Sequence, residues 1–337
     1  MILREAELFF KIIYFLAASV NNIYPAQSIA GAMRIINPDF LNSFRNTFFF
    51  CHIFFTKGSI YNKIKLFKRL LIPVYHMANI LGIKISPLNR KEISARWNLF
   101  LDSDCPHLVC TPNPEIILAA QKDEEYFYIL NQADLAVADG FGLILAGRLR
   151  GQKLTRLTGS DITPELLTKA EAEKHSVAIL NWEAGLSSAL EIKEAIKKSW
   201  PHLEFEVLDI PREVRLTPSE LKIIEALAPK IIFCSLGAPW QEKLLWRSLP
   251  QLKTVRIAIG IGGSFDFITK KAIRAPLFFQ KIGLEWLWRL IKQPRRLKRI
   301  WRATVVFSGR VLKESLINPW FYRHNVVLLI YSFRNGQ

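Results

Sequence analysis

The chain has 337 residues, of which 50% are hydrophobic, and a formal net charge of +17. This length permits one large or two ordinary domains with a sizeable buried core. The four cysteines (Cys51, Cys105, Cys110 and Cys234) form no CxxC pair and no zinc-ligand spacing. They argue against a structural zinc site and indicate a reduced, cytoplasmic protein.

The positive charge is concentrated at the two ends of the chain. Lys and Arg outnumber Asp and Glu by 9 to 3 in residues 1–76 and by 11 to 1 in residues 286–337, but only by 26 to 25 in residues 77–285. Basic extensions can meet the phosphates of lipids or of nucleic acids. The near-neutral middle favours a soluble body with basic attachments over a nucleic-acid-binding core.

Residues 1–76 carry the weakest signals. The apolar runs Leu8–Val20 and Phe48–Phe55 are too short to span a bilayer, and no signal peptide is predicted. Residues Ile60–Ile72 could form a basic amphipathic helix on an anionic membrane. Equally, the whole segment could be an upstream extension outside the working domain, which would begin near Met77.

Apolar runs alternate with helix-period stretches from Ile80 onward. The predicted strands are His107–Cys110, Asp134–Ala138, Val177–Leu180, Phe205–Leu208, Ile231–Ser235 and Val255–Ile259. Thr163-Pro164 and Thr217-Pro218 indicate helix starts, with a hydroxyl at the N-cap and proline at the first helical position. This alternation predicts an α/β, Rossmann-like parallel sheet with helices on both faces. Ligands are expected at the carboxyl ends of its strands.

Small polar and acidic residues follow the first two of these strands. Thr111 and Asn113 come after the first and could contact a ligand, although Asn113 could instead cap the next helix. Asp139 and Gly140 come after the second. A carboxylate there is well placed for general-base catalysis, but on this motif alone a helix cap is the better interpretation of Asp139.

Further candidates lie in later loops. Arg156, just before Gly159, could bind phosphate through its guanidinium group. Gly237, Gln241 and Glu242 bring a glycine turn, an amide and an acid to the same edge of the sheet. Four polar loops at one edge of the sheet indicate a ligand site more specifically than any single loop does.

Two adjacent glycines, Gly262 and Gly263, follow the strand Val255–Ile259. Such a turn exposes backbone N–H groups that can bind phosphate. A plain strand-to-loop turn is the alternative, and this turn alone favours it.

Taken together, these loops resemble the WecG/TagA/CpsF glycosyltransferases. The matching strings are TPNPE (111–115), ADGFG (138–142), RLTGSDI (156–162), LGAPWQE (236–242), GIGGSFDF (260–267), RAP (274–276) and GLEWLWRLIKQPRRLKR (283–299). They occur in the order of the family and cover roughly residues 80–307. Residues before Met77 lie outside the resemblance.

The resemblance implies inverting transfer of an N-acetylmannosamine-type sugar from a UDP-sugar. The acceptor would be N-acetylglucosamine on undecaprenyl diphosphate, in bacterial cell-surface polysaccharide synthesis. Asp139 takes the position of the proposed catalytic base, with Thr111 and Arg156 beside it. Alternative donors are UDP-N-acetylmannosaminuronate or a glucose-type sugar, and a nonenzymatic nucleotide-binding protein at the membrane is a further possibility.

The same resemblance extends the expected ligand contacts. It adds Asp266 and Arg274 to the glycines, Asn113, Gln241 and Glu242 named above. Three arginines of the C-terminal segment, Arg289, Arg296 and Arg299, would complete the site over the diphosphate at the membrane.

No cofactor and no metal are expected. Asp102-Ser103-Asp104 looks like a metal-binding DxD sequence, but it precedes the first strand of the sheet, at the wrong end for the pocket. The residue pattern therefore predicts a solvated turn there and metal-independent catalysis.

The C-terminal segment indicates where the protein works. Residues Trp286–Lys313 contain nine Lys or Arg and no acid, interleaved with aromatic and apolar residues. This composition favours a helix docked on an anionic membrane surface over a nucleic-acid-binding segment. We expect an extension (1–76), a catalytic domain (77–282) and a basic docking segment (283–337), peripheral on the inner face of the bacterial plasma membrane. Packing of the apolar helix on a second subunit, giving a homo-oligomer, stays open.

Overall fold

The computed structural model describes residues 77–276, 278–279, 285–292 and 297–317. The predictions made for residues 1–76 lie outside these ranges. No helix within them is both long enough and apolar enough to cross a bilayer.

A six-stranded parallel sheet forms the centre of the fold. The strands are β1 (Ala78–Ile80), β2 (Ile83–Ile85), β3 (His107–Cys110), β4 (Leu135–Ala136), β5 (Val177–Trp182), β6 (Phe205–Ile210), β7 (Ile231–Cys234) and β8 (Ile257–Gly260). Strands β3 to β8 form this sheet in the order β4-β3-β8-β7-β5-β6. Strands β1 and β2 make a separate antiparallel hairpin, which the sequence analysis did not predict.

Helices connect the strands and continue beyond the last one. They are α1 (Arg90–Leu101), α2 (Pro114–Ala120), α3 (Glu124–Gln132), α4 (Phe141–Leu149), α5 (Gly159–Ala172), α6 (Ala189–Ser199), α7 (Pro218–Leu227), α8 (Trp240–Ser248), α9 (Phe265–Ile268), α10 (Glu285–Lys292), α11 (Leu297–Trp301) and α12 (Phe307–Ile317). A π-helical turn, Arg302–Val306, joins α11 to α12.

The sheet is covered on both faces, as predicted. Alternate residues of the buried strands enter two separate hydrophobic clusters, because successive side chains of a strand point to opposite faces. One cluster includes Leu108 and Ala258 and takes residues from α2, α3, α4, α7, α8 and α12. The other includes Val109 and Ile259 and takes residues from α1, α5, α6 and α9. The predicted α/β fold with a C-terminal helical appendage is confirmed.

Two local predictions need correction. The predicted strand Asp134–Ala138 is shorter, and only Leu135–Ala136 pairs. Helix α5 begins at Gly159, not after Thr163, because Thr158 and Asp161 form a capping box that starts it earlier. Pro164 therefore lies inside the helix. In contrast, Thr217 caps α7 as predicted.

The C-terminal helices pack against the body of the protein. Phe307 and Val311 of α12 are 1% and 2% exposed and belong to the first cluster. An aromatic side chain buried to this extent stabilises the docked position by roughly 1.5–3 kcal/mol. Arg150, just after α4, forms an ion pair with Glu314 of α12. The family-matching string over 283–299 contains α10 and the start of α11, and residues 293–296 between them are outside the described ranges.

The strand order locates a cleft at the carboxyl edge of the sheet. The chain runs from β3 to β4 at one edge and from β5 to β6 at the other, with β8 and β7 between β3 and β5. Loops that leave β3 and β5 in opposite directions open a crevice where α/β proteins bind ligands. Predicted site residues follow strands β3, β4, β7 and β8.

Candidate active site

Thr111 ties together two loops at the centre of the carboxyl edge. Its side chain is 4% exposed, and its hydroxyl donates a hydrogen bond of 3.1 Å to the carbonyl oxygen of Gly260. Thr111 follows β3, and Gly260 is the last residue of the neighbouring strand β8. The Thr111 hydroxyl thus fixes the spacing of two loops that border the cleft.

Asn113 and Asp139, both of which follow a strand and precede a helix, have different local roles. The Asn113 side chain accepts a 2.9 Å hydrogen bond from the backbone N–H of Ile116 and caps α2. The cap of α4 is Gly140, at φ +106°, and no side chain caps that helix. The alternative role considered for Asp139, a helix cap, is therefore not the one the structure shows.

The backbone brings Asp139 close to the loop after β3 and to the segment that carries Arg156. The Asp139 N–H donates to the carbonyl oxygen of Pro112 at 2.8 Å, and the Leu157 N–H donates to that of Ala138 at 3.1 Å. Asp139 and Arg156 are both half-buried. A carboxylate and a guanidinium group are thus carried on adjoining segments at the edge of β4.

The buried side chain of Gln241 supports the glycine turn after β8. This side chain is 2% exposed, and its Oε1 accepts a 3.0 Å hydrogen bond from the backbone N–H of Gly262. A side chain at Gly260 would place its Cβ 2.6 Å from Gln241 Nε2, so the close approach requires glycine. The Gly262 N–H is thus paired with Gln241, and the role of the Gln241 side chain in the structure is to shape this turn.

Glu242 anchors Gln241 in the core. It is fully buried and accepts hydrogen bonds from Gln241 Nε2 at 2.7 Å and from the Tyr126 hydroxyl at 3.1 Å. Burial raises the pKa of Glu242, and the hydrogen bonds oppose that rise only in part. Glu242 is therefore linked to the cleft indirectly, through Gln241 and the glycine turn that Gln241 supports.

Asp266 joins this turn to the loop after β5. Its Oδ1 accepts a 2.8 Å hydrogen bond from the Ser187 hydroxyl, which also lies 2.7 Å from the Thr269 hydroxyl. A side chain at Gly263 would lie 2.7 Å from Asp266 Oδ2. The half-buried Asp266 thus holds two loops of the cleft together.

Arg274 binds the first turn of α5. Its Nη2 donates to Asp161 Oδ1 and, at 3.5 Å, to Thr158 Oγ1, the two residues of the capping box. Burial alone would raise the pKa of Asp161, but hydrogen bonds from Arg274 and Thr158 outweigh it and lower that pKa. The neighbouring residue is Gly159. A Cβ atom at this position would lie only 3.0 Å from the carbonyl oxygen of Ile261.

The C-terminal helices bring one predicted arginine to the cleft. Arg299 of α11 donates to both carboxylate oxygens of Glu115, at 3.2 and 2.7 Å. This pairing raises the pKa of Arg299, against the opposing effect of burial. Position 289 lies in α10, but the Arg289 side chain and the whole of Arg296 are outside the described part of the chain.

A guanidinium group that the sequence analysis missed also lies at this edge. Arg212 follows β6 and packs over the ring of Trp182, with Cζ 3.5 Å from the ring centroid. Its Nε donates a 2.8 Å hydrogen bond to the carbonyl oxygen of Leu236, next to the predicted Gly237. Examining the loop after the predicted strand Phe205–Leu208, as was done for four of the other strands, would have found it.

No metal site is apparent in the portions that the structure describes. They contain no group of three or more His, Cys, Asp or Glu side chains placed to hold an ion. Asp102 and Asp104 are exposed, in the turn after α1. Metal-independent catalysis stays a prediction.

A Rossmann-like sheet that gathers a carboxylate and several arginines at its carboxyl edge is suited to phosphate-bearing ligands. The glycosyl transferase WecG/TagA/CpsF family matches residues 78–319, and the chain belongs to that family.

Individual relatives agree with this assignment. Three similar proteins, from Bacillus subtilis, Bacillus spizizenii and Staphylococcus aureus, bear the name N-acetylglucosaminyldiphosphoundecaprenol N-acetyl-beta-D-mannosaminyltransferase. The B. subtilis protein is 30% identical over 224 residues, which are 66% of this chain and 86% of the relative. The B. spizizenii protein is 32% identical over 207 residues, 60% of this chain and 77% of the relative. The S. aureus protein is 28% identical over 212 residues, 61% of this chain and 80% of the relative.

The ion pair of Asp161 with Arg274 predicts a pH-dependent stability. Because the Asp161 pKa is lower in the folded chain, its contribution is present above the ordinary carboxyl range and is lost as the pH falls through the folded pKa. We expect Asp161→Asn to lower the free energy of unfolding by about 1 kcal/mol at pH 7. The difference from the wild type should close as the pH falls below about 4.

Urea titrations at several pH values would measure this difference, with Asp102→Asn in the exposed turn as the control. A difference that persists unchanged at pH 3, or none at pH 7, would contradict the assigned role of the ion pair.

Proposed function

We propose that this chain is an inverting glycosyltransferase that moves an N-acetylmannosamine-type sugar from a UDP-sugar to undecaprenyl-diphosphate-linked N-acetylglucosamine. Membership of the glycosyl transferase family and the shared name of the three relatives support the reaction class and the acceptor. The donor nucleotide, the inversion and the identity of the base are our inferences from the residues of the cleft.

The observation that carries the mechanism is the position of Asp139. Asp139 follows β4, its backbone N–H donates to Pro112 in the loop after β3, and Gly140 takes the cap position of α4. A carboxylate carried at the edge where ligands bind is suited to accept a proton.

The proposed transfer is a single displacement. The acceptor hydroxyl attacks the anomeric carbon from the side opposite the nucleotide, and its proton passes to Asp139. The new bond to the acceptor oxygen forms as the bond to the diphosphate oxygen breaks, so UDP leaves with the bonding electrons. Inversion follows because attack and departure occur on opposite faces of the sugar.

The departing diphosphate requires positive charge. Arg156 is on the segment whose Leu157 N–H bonds the carbonyl oxygen of Ala138, next to Asp139 in sequence, and Arg299 reaches the same edge from the C-terminal helices through its contact with Glu115. Guanidinium groups fixed before the reaction stabilise charge that develops in the transition state. We propose that these arginines, together with Arg289 and Arg296, take the place of a metal ion.

The C-terminal helices also suggest where the enzyme meets its lipid acceptor. Trp301, Val305 and Leu312 are 58%, 47% and 51% exposed, and their spacing places them along one side of α11–α12. Exposed cations of the same segment are Arg302, Arg310 and Lys313. We propose that this apolar stripe enters the headgroup region of an anionic membrane while the cations face lipid phosphates. The protein would then be peripheral on the inner face of the bacterial plasma membrane.

Replacing the proposed base tests the reaction. Asp139→Asn keeps the size of the side chain but cannot take a proton, so we expect kcat to fall by about 100- to 10,000-fold with UDP binding retained. Release of UDP would be measured with a panel of UDP-sugars and a lipid-diphosphate-linked N-acetylglucosamine acceptor. Asp102→Asn is the control, and a parallel series contains EDTA.

The predicted result is acceptor-dependent turnover with one donor, unchanged by EDTA. UDP binding without turnover of any donor would contradict the proposed activity and favour a nucleotide-binding protein. Loss of turnover in EDTA would contradict metal independence alone.

Membrane docking predicts a separate effect. Trp301→Glu removes the most exposed aromatic residue of the stripe and adds a negative charge. We expect at least a tenfold weaker partition of the full chain onto phosphatidylglycerol-containing vesicles, measured by sedimentation. Leu190→Glu, at a 67% exposed position of α6, is the control. Equal partition of the two variants would show that α11–α12 does not enter the membrane.

A further inference from the structure

Arg212 lies at the carboxyl edge of the sheet, but its side chain does not stay near its own strand. It follows β6, the edge strand, and donates from Nε to the carbonyl oxygen of Leu236, which follows β7. Strand β5 lies between these two strands. The guanidinium group therefore reaches across one strand toward the middle of the cleft.

Contacts on two sides hold this guanidinium group in place. Its flat face lies over the ring of Trp182, the last residue of β5, with Cζ 3.5 Å from the ring centroid. Nη2 lies close to the backbone of Gly237, where an added Cβ would be 3.3 Å away. An arginine that is stacked and hydrogen-bonded loses little freedom when it binds an anion.

The charge of Arg212 is not neutralised by the protein around it. Among the described residues, no carboxylate lies within ion-pair distance of Arg212, whereas Arg150, Arg247, Arg274 and Arg299 each have one. Arg212 is exposed at this edge, and its partial burial, followed by the positive charge of Arg299, lowers the pKa of its guanidinium group. A bound anion would be attracted by the charge of Arg212.

The geometry points to Arg212, held by Trp182, as a diphosphate-binding residue of the cleft. Its Nε is occupied by Leu236, which leaves the terminal nitrogens for paired hydrogen bonds to phosphate oxygens. The inference rests on the proposed function, in which both the donor and the acceptor contain a diphosphate. The shared chemistry is the diphosphate, and the experiment separates the two sources.

Arg212→Gln in the full chain tests this inference. UDP, uridine and a short-chain polyprenyl diphosphate in detergent are the probes, and binding is measured by calorimetry. Hydrogen bonds to charged groups predict a loss of about 10- to 100-fold in affinity for at least one diphosphate, with uridine binding unchanged. Arg212→Lys keeps the charge but not the stacked, planar contact and should fall between the wild type and Arg212→Gln.

Arg215→Gln is the matched control, because Arg215 is exposed in the same loop three residues later. Thermal unfolding of both variants would show whether the fold is intact. A loss confined to UDP places Arg212 at the donor diphosphate, and a loss confined to the polyprenyl diphosphate places it at the acceptor. Diphosphate affinities equal to those of Arg215→Gln would overturn the inference, as would an equal loss of uridine binding or a wild type that binds neither diphosphate.

The outcome is separable from that of the proposed transfer reaction. If the wild type transfers no sugar but Arg212→Gln weakens diphosphate binding, the proposed reaction fails and the role of Arg212 stands. If the wild type transfers sugar and Arg212→Gln behaves like the control, the proposed reaction stands and the role of Arg212 fails.

Discussion

A buried amide fixes the loop on which the arrangement of the cleft depends. Gln241 accepts a hydrogen bond from the backbone N–H of Gly262 and donates one to Glu242, which in turn accepts one from the Tyr126 hydroxyl. These groups have little or no contact with water, so breaking one bond would leave another buried polar group unpaired at a cost of about 1–3 kcal/mol. Because Thr111 donates to Gly260, the last residue of β8, the ends of β3 and β8 are fixed relative to each other. Side chains around a cleft can act together only when their loops are fixed in this way.

On this rigid edge the protein assembles positive charge from distant parts of the chain. Arg156 comes from the segment after α4, Arg212 from the loop after β6, and Arg299 from the C-terminal helices. Arg299 forms an ion pair with Glu115, and that contact also attaches α11 to the first turn of α2. An edge that collects cations while the middle of the chain is nearly neutral is consistent with a ligand that carries several negative charges.

The alternation of apolar runs was enough to predict the parallel sheet, because buried strands require continuous apolar sequence. The separate roles of Asn113 and Asp139 could not be predicted. Both are short polar residues between a strand and a helix, and only the positive φ of Gly140 moves the cap away from Asp139. The start of α5 was predicted wrongly, and the reason is similar. Two threonines are possible caps, and the additional bonds of Asp161 decide in favour of Thr158. Contacts made across the sheet, such as that of Arg212 with Trp182, have no signature in the local sequence.

The central claim is that the Asp139 carboxylate accepts the proton of the acceptor hydroxyl. It would be tested most directly by measuring transfer by Asp139→Ala with and without added formate, a carboxylate small enough to occupy the space left by the side chain. The account predicts very slow transfer that rises with formate concentration, while Asp102→Ala stays at the wild-type rate under both conditions. Transfer by Asp139→Ala at the wild-type rate without formate would contradict the account, because the reaction would then not need a base at that position.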